Sequence, residues 1–166
     1  IKDKVQNKLE NGELWPDPLI QFNPSFQKSD SVADLVTAGL LHPGLNDVFR
    51  GFDLYAHQSE AMKLGVSGKS FIVTSGTGSG KSLTYIGTVF NHLFKQGTGK
   101  GIKAILVYPM NALINSQEDE LEKFAQNYKA NAGQDFPITF GAYTGQTAQE
   151  DRERMVNSPP DIILTN

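Results

Sequence analysis

The chain has 166 residues, of which 39% are hydrophobic and 20% charged, and its net charge is −3. This length and apolar content suit one sizeable domain with or without an extension, while the lack of cysteine excludes disulfides and thiolate metal sites. No apolar run approaches the roughly 20 residues that span a bilayer, so we expect a cytoplasmic protein with no membrane partner. The acidic balance argues against a broad basic surface, although backbone amides and helix N-termini can still bind phosphates.

Residues 1–30 are predicted to form an arm, because prolines at 16, 18 and 24 interrupt helices and central strands. Its aromatic side chains are expected to rest on another surface: Trp15, Phe22 and Phe26. Ser31 and Asp34 then match a capping box, which predicts a short helix that ends at His42-Pro43-Gly44. A second short helix is expected to stop at Gly51. We therefore interpret residues 1–50 as an N-terminal extension with short helices.

From residue 51 onward, strands and helices alternate, which is typical of a parallel sheet with helices on both faces and predicts an α/β fold. Strands are expected over 70–74, 102–108, 138–143 and 161–165. Helices are expected over 56–64, 81–94, 112–129 and from a capping box at 147–150 to the prolines at 159 and 160. Residues 104–107 are all apolar, as expected of a strand covered on both faces.

A glycine-rich stretch, Thr74 to Ser82, lies between the first predicted strand and its helix. Glycines let backbone N–H groups point at a phosphate, and the helix N-terminus adds positive potential. Ser75 stands where the usual pattern Gly-x-x-x-x-Gly-Lys-Ser/Thr has its first glycine, but the rest of the pattern is intact. Lys81 is the predicted catalytic residue at the β/γ-phosphates, and Ser82 the predicted Mg²⁺ ligand. The predicted phosphate-binding residues are Ser75, Gly76, Thr77, Gly78, Ser79, Gly80, Lys81 and Ser82.

A second glycine-lysine cluster, at 97–101, follows a helix and precedes a strand, which is the wrong order for a phosphate site. We interpret it as a mobile surface loop. The three histidines offer no metal-ligand spacing, so any metal is expected to arrive with the nucleotide.

Upstream of this loop in the sequence lies the segment Leu54-Tyr55-Ala56-His57-Gln58. It resembles the adenine-reading Q motif in the first RecA-like domain of superfamily 2 helicases of the DEAD/DEAH type. The resemblance implies that Gln58 binds adenine and that Tyr55, or alternatively Phe52, stacks on the base. His57 is a further candidate to contact the nucleotide. ATP and Mg²⁺ are the cofactors that this family implies.

Three more segments resemble motifs of the same family that contact a nucleic-acid strand. Residues 108–117 resemble motif Ia, 143–145 resemble motif Ic, and 164–166 resemble the start of motif Ib. Asn111 stands where many DEAD-box RNA helicases have arginine, which favours a DNA-directed, restriction- or defence-associated branch, with DNA rather than RNA as the expected partner. The implied strand-binding residues are Pro109, Met110, Asn111, Thr144, Gly145 and Thr165.

The resemblance covers roughly residues 52–166, which we interpret as part of a RecA-like ATP-binding domain in a longer protein. The family's motif II (an Asp-Glu pair at a strand end), its motif III and its second RecA-like lobe do not occur in these 166 residues. We therefore expect this piece alone to bind nucleotide weakly and to hydrolyse essentially none. Two alternatives stay open: another P-loop enzyme, such as a small-molecule kinase or transport ATPase, and a non-catalytic nucleotide-sensing interaction module.

Overall fold

The computed structural model describes residues 1–12 and 26–166. Its helices are Lys2–Glu10 (α1), Val32–Thr37 (α2), Leu45–Val48 (α3), Ala56–Val66 (α4), Lys81–Gln96 (α5), Asn111–Ala132 (α6) and Gln149–Asn157 (α7). Its strands are Lys28–Ser31 (β1), Asp53–Tyr55 (β2), Ala104–Val107 (β3), Phe140–Ala142 (β4) and Ile162–Thr165 (β5). The expectations on Trp15 and Phe22 fall outside the described residues.

A parallel sheet in the order β3-β5-β4 organises the second half of the chain. Ala104 and Phe140 both lie opposite Ile162, so the three strands are in register. Helix α6 connects β3 to β4 and α7 connects β4 to β5, as parallel strands require long crossovers. This arrangement confirms the predicted α/β class. It also brings the carboxyl ends of the three strands to one edge.

One hydrophobic core joins this sheet to helices α5 and α6. Aromatic rings dominate it: Phe124 lies edge-on to Phe49 at 4.9 Å and to Phe90 at 6.2 Å between ring centroids. Phe90 and Phe124 bury large apolar surfaces, which fixes α5 against α6. Residues of α2 and α3 also belong to this core. The expected division of the chain after residue 50 stays a prediction, because residues on both sides of it share the core.

The strand expected over 70–74 does not form, and this prediction was wrong. The β-branched residues there have high strand propensity, but a strand also needs a paired neighbour. None of the described strands pairs with this segment, and Ile72 is 92% exposed.

Strand β3 is covered on one face only, since Ile105 and Val107 are 62% and 70% exposed. The expectation of cover on both faces was therefore wrong for β3.

Several helix ends differ from the sequence prediction for local reasons. Ser31 and Asp34 form the predicted capping box, but α2 ends at Thr37 because Gly39 adopts φ 73° just beyond it. The capping box expected at Thr147 is absent. The Thr147 hydroxyl instead donates to Ala142 O and accepts from Thr144 N, so α7 begins two residues later.

Two regular elements of the arm were not predicted. Helix α1 buries no side chain, and β1 pairs antiparallel with β2.

The loop at 97–101, expected to be mobile, is anchored by a hydrogen bond from Gly99 N to the buried Asp161 carboxylate at 2.8 Å. Among the described residues, none of the helices combines the length and the apolar character that a membrane span needs.

Candidate nucleotide and nucleic-acid site

The glycine-rich loop leads directly into α5. Gly78 and Gly80 have φ values of 75° and 69°, a left-handed conformation that favours glycine. Within the part of the chain that the structure describes, the amides from Gly76 to Ser82 donate no backbone hydrogen bond. Free N–H groups at the start of a 16-residue helix suit an anion such as a phosphate.

Lys81, the first residue of α5, folds back over the loop. Its Nζ donates to Ser75 O at 3.0 Å and to Gly76 O at 2.8 Å. Ser75, which replaces the usual glycine, also lies with its hydroxyl 2.5 Å from the buried Ser79 hydroxyl. The Lys81 ammonium group is thus held by two carbonyls of its own loop. A phosphate bound at Lys81 would replace Ser75 O and Gly76 O as the acceptor.

Gln58 connects helix α4 to the loop and is only 4% exposed. Its Oε1 accepts from Tyr55 N at 2.8 Å, and its Nε2 donates to Gly80 O at 2.8 Å. A methyl group on Gly80 would lie 2.5 Å from this Nε2, so glycine is required at that position. One amide proton and one lone pair of Gln58 remain for a base. The side chain thus positions the loop whether or not it also binds adenine.

Three rings gather next to Gln58. Phe26 lies 5.3 Å from Tyr55 and 5.5 Å from His57, and Tyr55 stacks on His57 at 5.9 Å, measured between ring centroids. A ring nitrogen of His57, Nε2, lies 3.0 Å from Ser79 O. Phe52, the alternative stacking residue, is 37% exposed and packs against the buried Phe49 instead. The contacts of Phe26 confirm that this arm residue rests on another surface, but the sequence did not predict which one, since Phe26 lies 32 positions before Gln58 (58 − 26).

The predicted strand-binding residues meet at the carboxyl edge of the parallel sheet. Asn166 Nδ2 donates to Asn111 Oδ1 at 2.9 Å, and Thr165 Oγ1 donates to Tyr143 O at 2.7 Å. Pro109 and Met110 are exposed on the same turn as Asn111, as is Gly145 on the neighbouring turn. The structure therefore brings all three predicted turns together into one surface, which we call the strand surface: residues 109–111, 144–145 and 165–166.

A hydrogen-bonded group links the two parts of the site. Tyr85, one turn after Lys81 on α5, lies with its hydroxyl 2.9 Å from the Tyr108 hydroxyl. Gln117 Oε1 on α6 lies 3.1 Å from the Tyr85 hydroxyl and 3.3 Å from the Tyr108 hydroxyl. Each hydroxyl has one proton, so one tyrosine donates to the other, which in turn donates to Gln117. Burial and the contact with Tyr85 raise the pKa of Tyr108 above its usual range, so the Tyr108 phenol stays neutral. The helix behind the phosphate loop thus contacts the residue before Pro109.

A phosphate loop at a helix N-terminus, beside a parallel sheet with polar turns at its carboxyl edge, defines a P-loop nucleotide-binding domain. A family model described as DEAD/DEAH box helicase matches residues 55–166, more than half of the chain. The chain belongs to the DEAD/DEAH box helicase family. This match does not favour the kinase, transport ATPase or non-catalytic alternatives.

Similar proteins include two curated relatives that are much longer than this chain. Druantia protein DruE of Escherichia coli is 34% identical over 111 residues, which is 59% of this chain and 6% of DruE. ATP-dependent helicase Lhr-Core of Methanothermobacter thermautotrophicus is 30% identical over 135 residues, which is 76% of this chain and 16% of that protein. The chain thus spans a small part of the relatives that it matches.

Solved structures share the fold. The helicase MrfA bound to DNA and AMPPNP superposes with a TM-score of 0.70 over 96% of this chain and 21% of MrfA, at 20% identity. The DEAD-box helicase Mss116 bound to single-stranded RNA and UDP-BeF has a TM-score of 0.68 over 85% of this chain and 29% of that chain, also at 20% identity. These likenesses confirm a RecA-like helicase domain as the fold.

Proposed function

We propose that the full-length protein is an ATP-dependent helicase or translocase that acts on single-stranded nucleic acid, and on DNA rather than RNA. The observation that carries this proposal is that a loop at the start of α5, whose backbone amides are free within the described residues, is linked to the strand surface through the Tyr85–Tyr108 contact. The names of relatives such as ATP-dependent helicase Lhr-Core support it, as do likenesses to helicases solved with DNA. Partners from a restriction or defence system remain part of this proposal because Asn111 stands where many DEAD-box RNA helicases have arginine.

In this proposal the amides of residues 76–82 bind the polyphosphate of ATP, and Lys81 neutralises charge at its β/γ-phosphates. Ser82 is the residue that would hold Mg²⁺, and the ion would offset the negative charge that develops on the phosphates. The remaining donor and acceptor of Gln58 bind adenine, while Tyr55 and Phe26 offer ring faces to the base. Residues of the strand surface contact the backbone of the strand.

Hydrolysis needs more than these residues supply. Phosphoryl transfer depends on charges placed around the phosphate from several sides, and an arginine finger alone contributes about 10³ to 10⁵ in rate. Among the described residues, the loop contributes its amides and one cation, Lys81. We therefore propose that this chain alone binds nucleotide and hydrolyses essentially none, and that the full-length protein carries the activity.

The test is ATP turnover by the full-length protein with and without single-stranded DNA or RNA. Lys81→Ala should abolish the stimulated turnover, because it removes the cation that meets the phosphates. Lys100→Ala is a matched control, since Lys100 lies in the other glycine-lysine cluster, at 97–101, and should leave turnover unchanged. If neither nucleic acid stimulates the wild-type protein, the motor proposal is wrong.

A further inference from the structure

The strand surface carries no basic side chain of its own. Neither 109–117 nor 143–149 nor 162–166 contains lysine or arginine. Yet most nucleic-acid affinity usually comes from lysine and arginine that neutralise phosphates and release counterions. A cation from a neighbouring element is therefore needed if this surface is to hold a strand.

Arg152, on helix α7, reaches this surface. Its Nη2 donates to Thr144 O at 2.8 Å and to Gly145 O at 3.1 Å, and its guanidinium lies 5.6 Å from the centroid of the Tyr143 ring. Its Nε is buried without a hydrogen-bond partner among the described residues. Such contacts fix the guanidinium in one orientation, over the turn whose backbone is expected to meet the strand.

Among residues 1–12 and 26–166, no carboxylate forms an ion pair with Arg152. Within the described part of the chain its hydrogen bonds go to backbone carbonyls only, and its Nη1 donates to no protein atom and is not buried. Arg154, two residues further along the same helix, instead pairs with Asp151 at 2.7 Å. The two N–H groups of Nη2 are occupied and Nε is buried, so the Nη1 amino group is the part of the guanidinium that can donate to a phosphate.

We propose that Arg152 supplies the positive charge of the strand surface: it holds the Thr144-Gly145 turn through Nη2 and contacts a backbone phosphate of the bound single strand through Nη1. This inference rests on the proposed function. It assigns a binding role to a residue outside all the turns that the sequence singled out.

The test measures the affinity of the full-length protein for labelled single-stranded DNA over a range of salt concentrations. Each phosphate neutralised on a single strand contributes about 0.7 to the slope of log K against log salt. Arg152→Gln should therefore reduce the slope by about 0.7, and weaken binding roughly five-fold at about 0.1 M salt, with the difference vanishing toward about 1 M. Arg152→Lys keeps the charge and should keep the wild-type slope.

Arg154→Gln is the matched control on the same helix, because that arginine is already paired, and it should leave the slope unchanged. Binding of a fluorescent ATP analogue should be equal in all variants, which separates a local change from misfolding. Single-stranded RNA of the same sequence should show the same change in slope, since the proposed contact is to phosphate.

The outcomes separate the two proposals. If wild-type protein binds neither nucleic acid, the proposed function is wrong and this inference falls with it. If the wild type binds but Arg152→Gln keeps the full slope, even with weaker affinity, Arg152 only supports the turn and this inference alone is overturned. It is also overturned if Arg152→Lys loses the slope as Arg152→Gln does, because charge alone would then not account for the contact.

Discussion

Replacing Gln58 by alanine should destabilise the domain by about 3 kcal/mol. The substitution removes two hydrogen bonds of 2.8 Å made by a side chain that is 4% exposed. Gly80 O lies on an exposed residue, so water can replace its lost donor at a cost of about 1 kcal/mol, whereas an unpaired Tyr55 N–H costs about 1–3 kcal/mol. The expected destabilisation is the sum of these two losses.

Urea unfolding of the 166-residue chain measures this change. With slopes of about 1–3 kcal/mol per molar urea, the midpoint should fall by roughly 1–3 M at an unchanged slope. Gln149→Ala is the control, because the Gln149 amide donates to Glu153 across one turn of an exposed helix and should matter by less than about 0.5 kcal/mol. A Gln58→Ala chain within about 0.5 kcal/mol of wild type would refute the positioning role.

The same variant also separates positioning from base recognition. Loss of support for Gly80 should weaken ATP and GTP binding alike in the full-length protein, whereas loss of an adenine contact should weaken ATP alone. We expect both effects, so that total affinity falls and the preference for ATP over GTP shrinks. Unchanged selectivity would leave Gln58 with its positioning role and remove it from the adenine site.

Two further predictions concern carboxylates. Asp161→Asn should destabilise the chain by about 2–4 kcal/mol in urea, since the fully buried carboxylate accepts from Gly99 N, Thr139 N and the Thr139 hydroxyl, and an amide places a donor against them. Hydrogen bonds from Lys63 and Ser59 lower the pKa of Asp30 from 3.8 to about 2. The contribution of Asp30 to stability is therefore complete above pH 3.8 and lost as the pH falls toward 2. In Asp30→Asn the free energy of unfolding should depend less on pH in that window.

Local patterns predicted most elements of the fold. Apolar spacing along α5 and α6 and the alternation of strands with helices are short-range features, and each element formed within a few residues of the expected ends. The phosphate loop was equally predictable, because glycines and a helix start at fixed offsets carry its geometry. The strand at 70–74 was not predictable in this way. Residues 70–74 do have high strand propensity, but a strand forms only where a second strand pairs with it, and local sequence does not show whether one will.

The site residues divide in the same manner. Motifs predicted positions for Lys81, Gln58 and the turn residue Asn111, because motif residues lie at fixed spacings along the chain. The contacts of Phe26 with Tyr55 and of Arg152 with the Thr144-Gly145 turn were not predicted, since they depend on how separate elements pack.

The sequence by itself determined which local structures form and where a polyphosphate can bind, because periodicity, turn chemistry and helix ends act over a few residues. Only the tertiary structure decided that Gln58 hydrogen-bonds to the loop, that three turns form one surface, and that Arg152 of α7 lies against that surface. These contacts depend on which chain segments pack together. That packing is determined by the burial of side chains between distant segments, not by the spacing of residues along the chain.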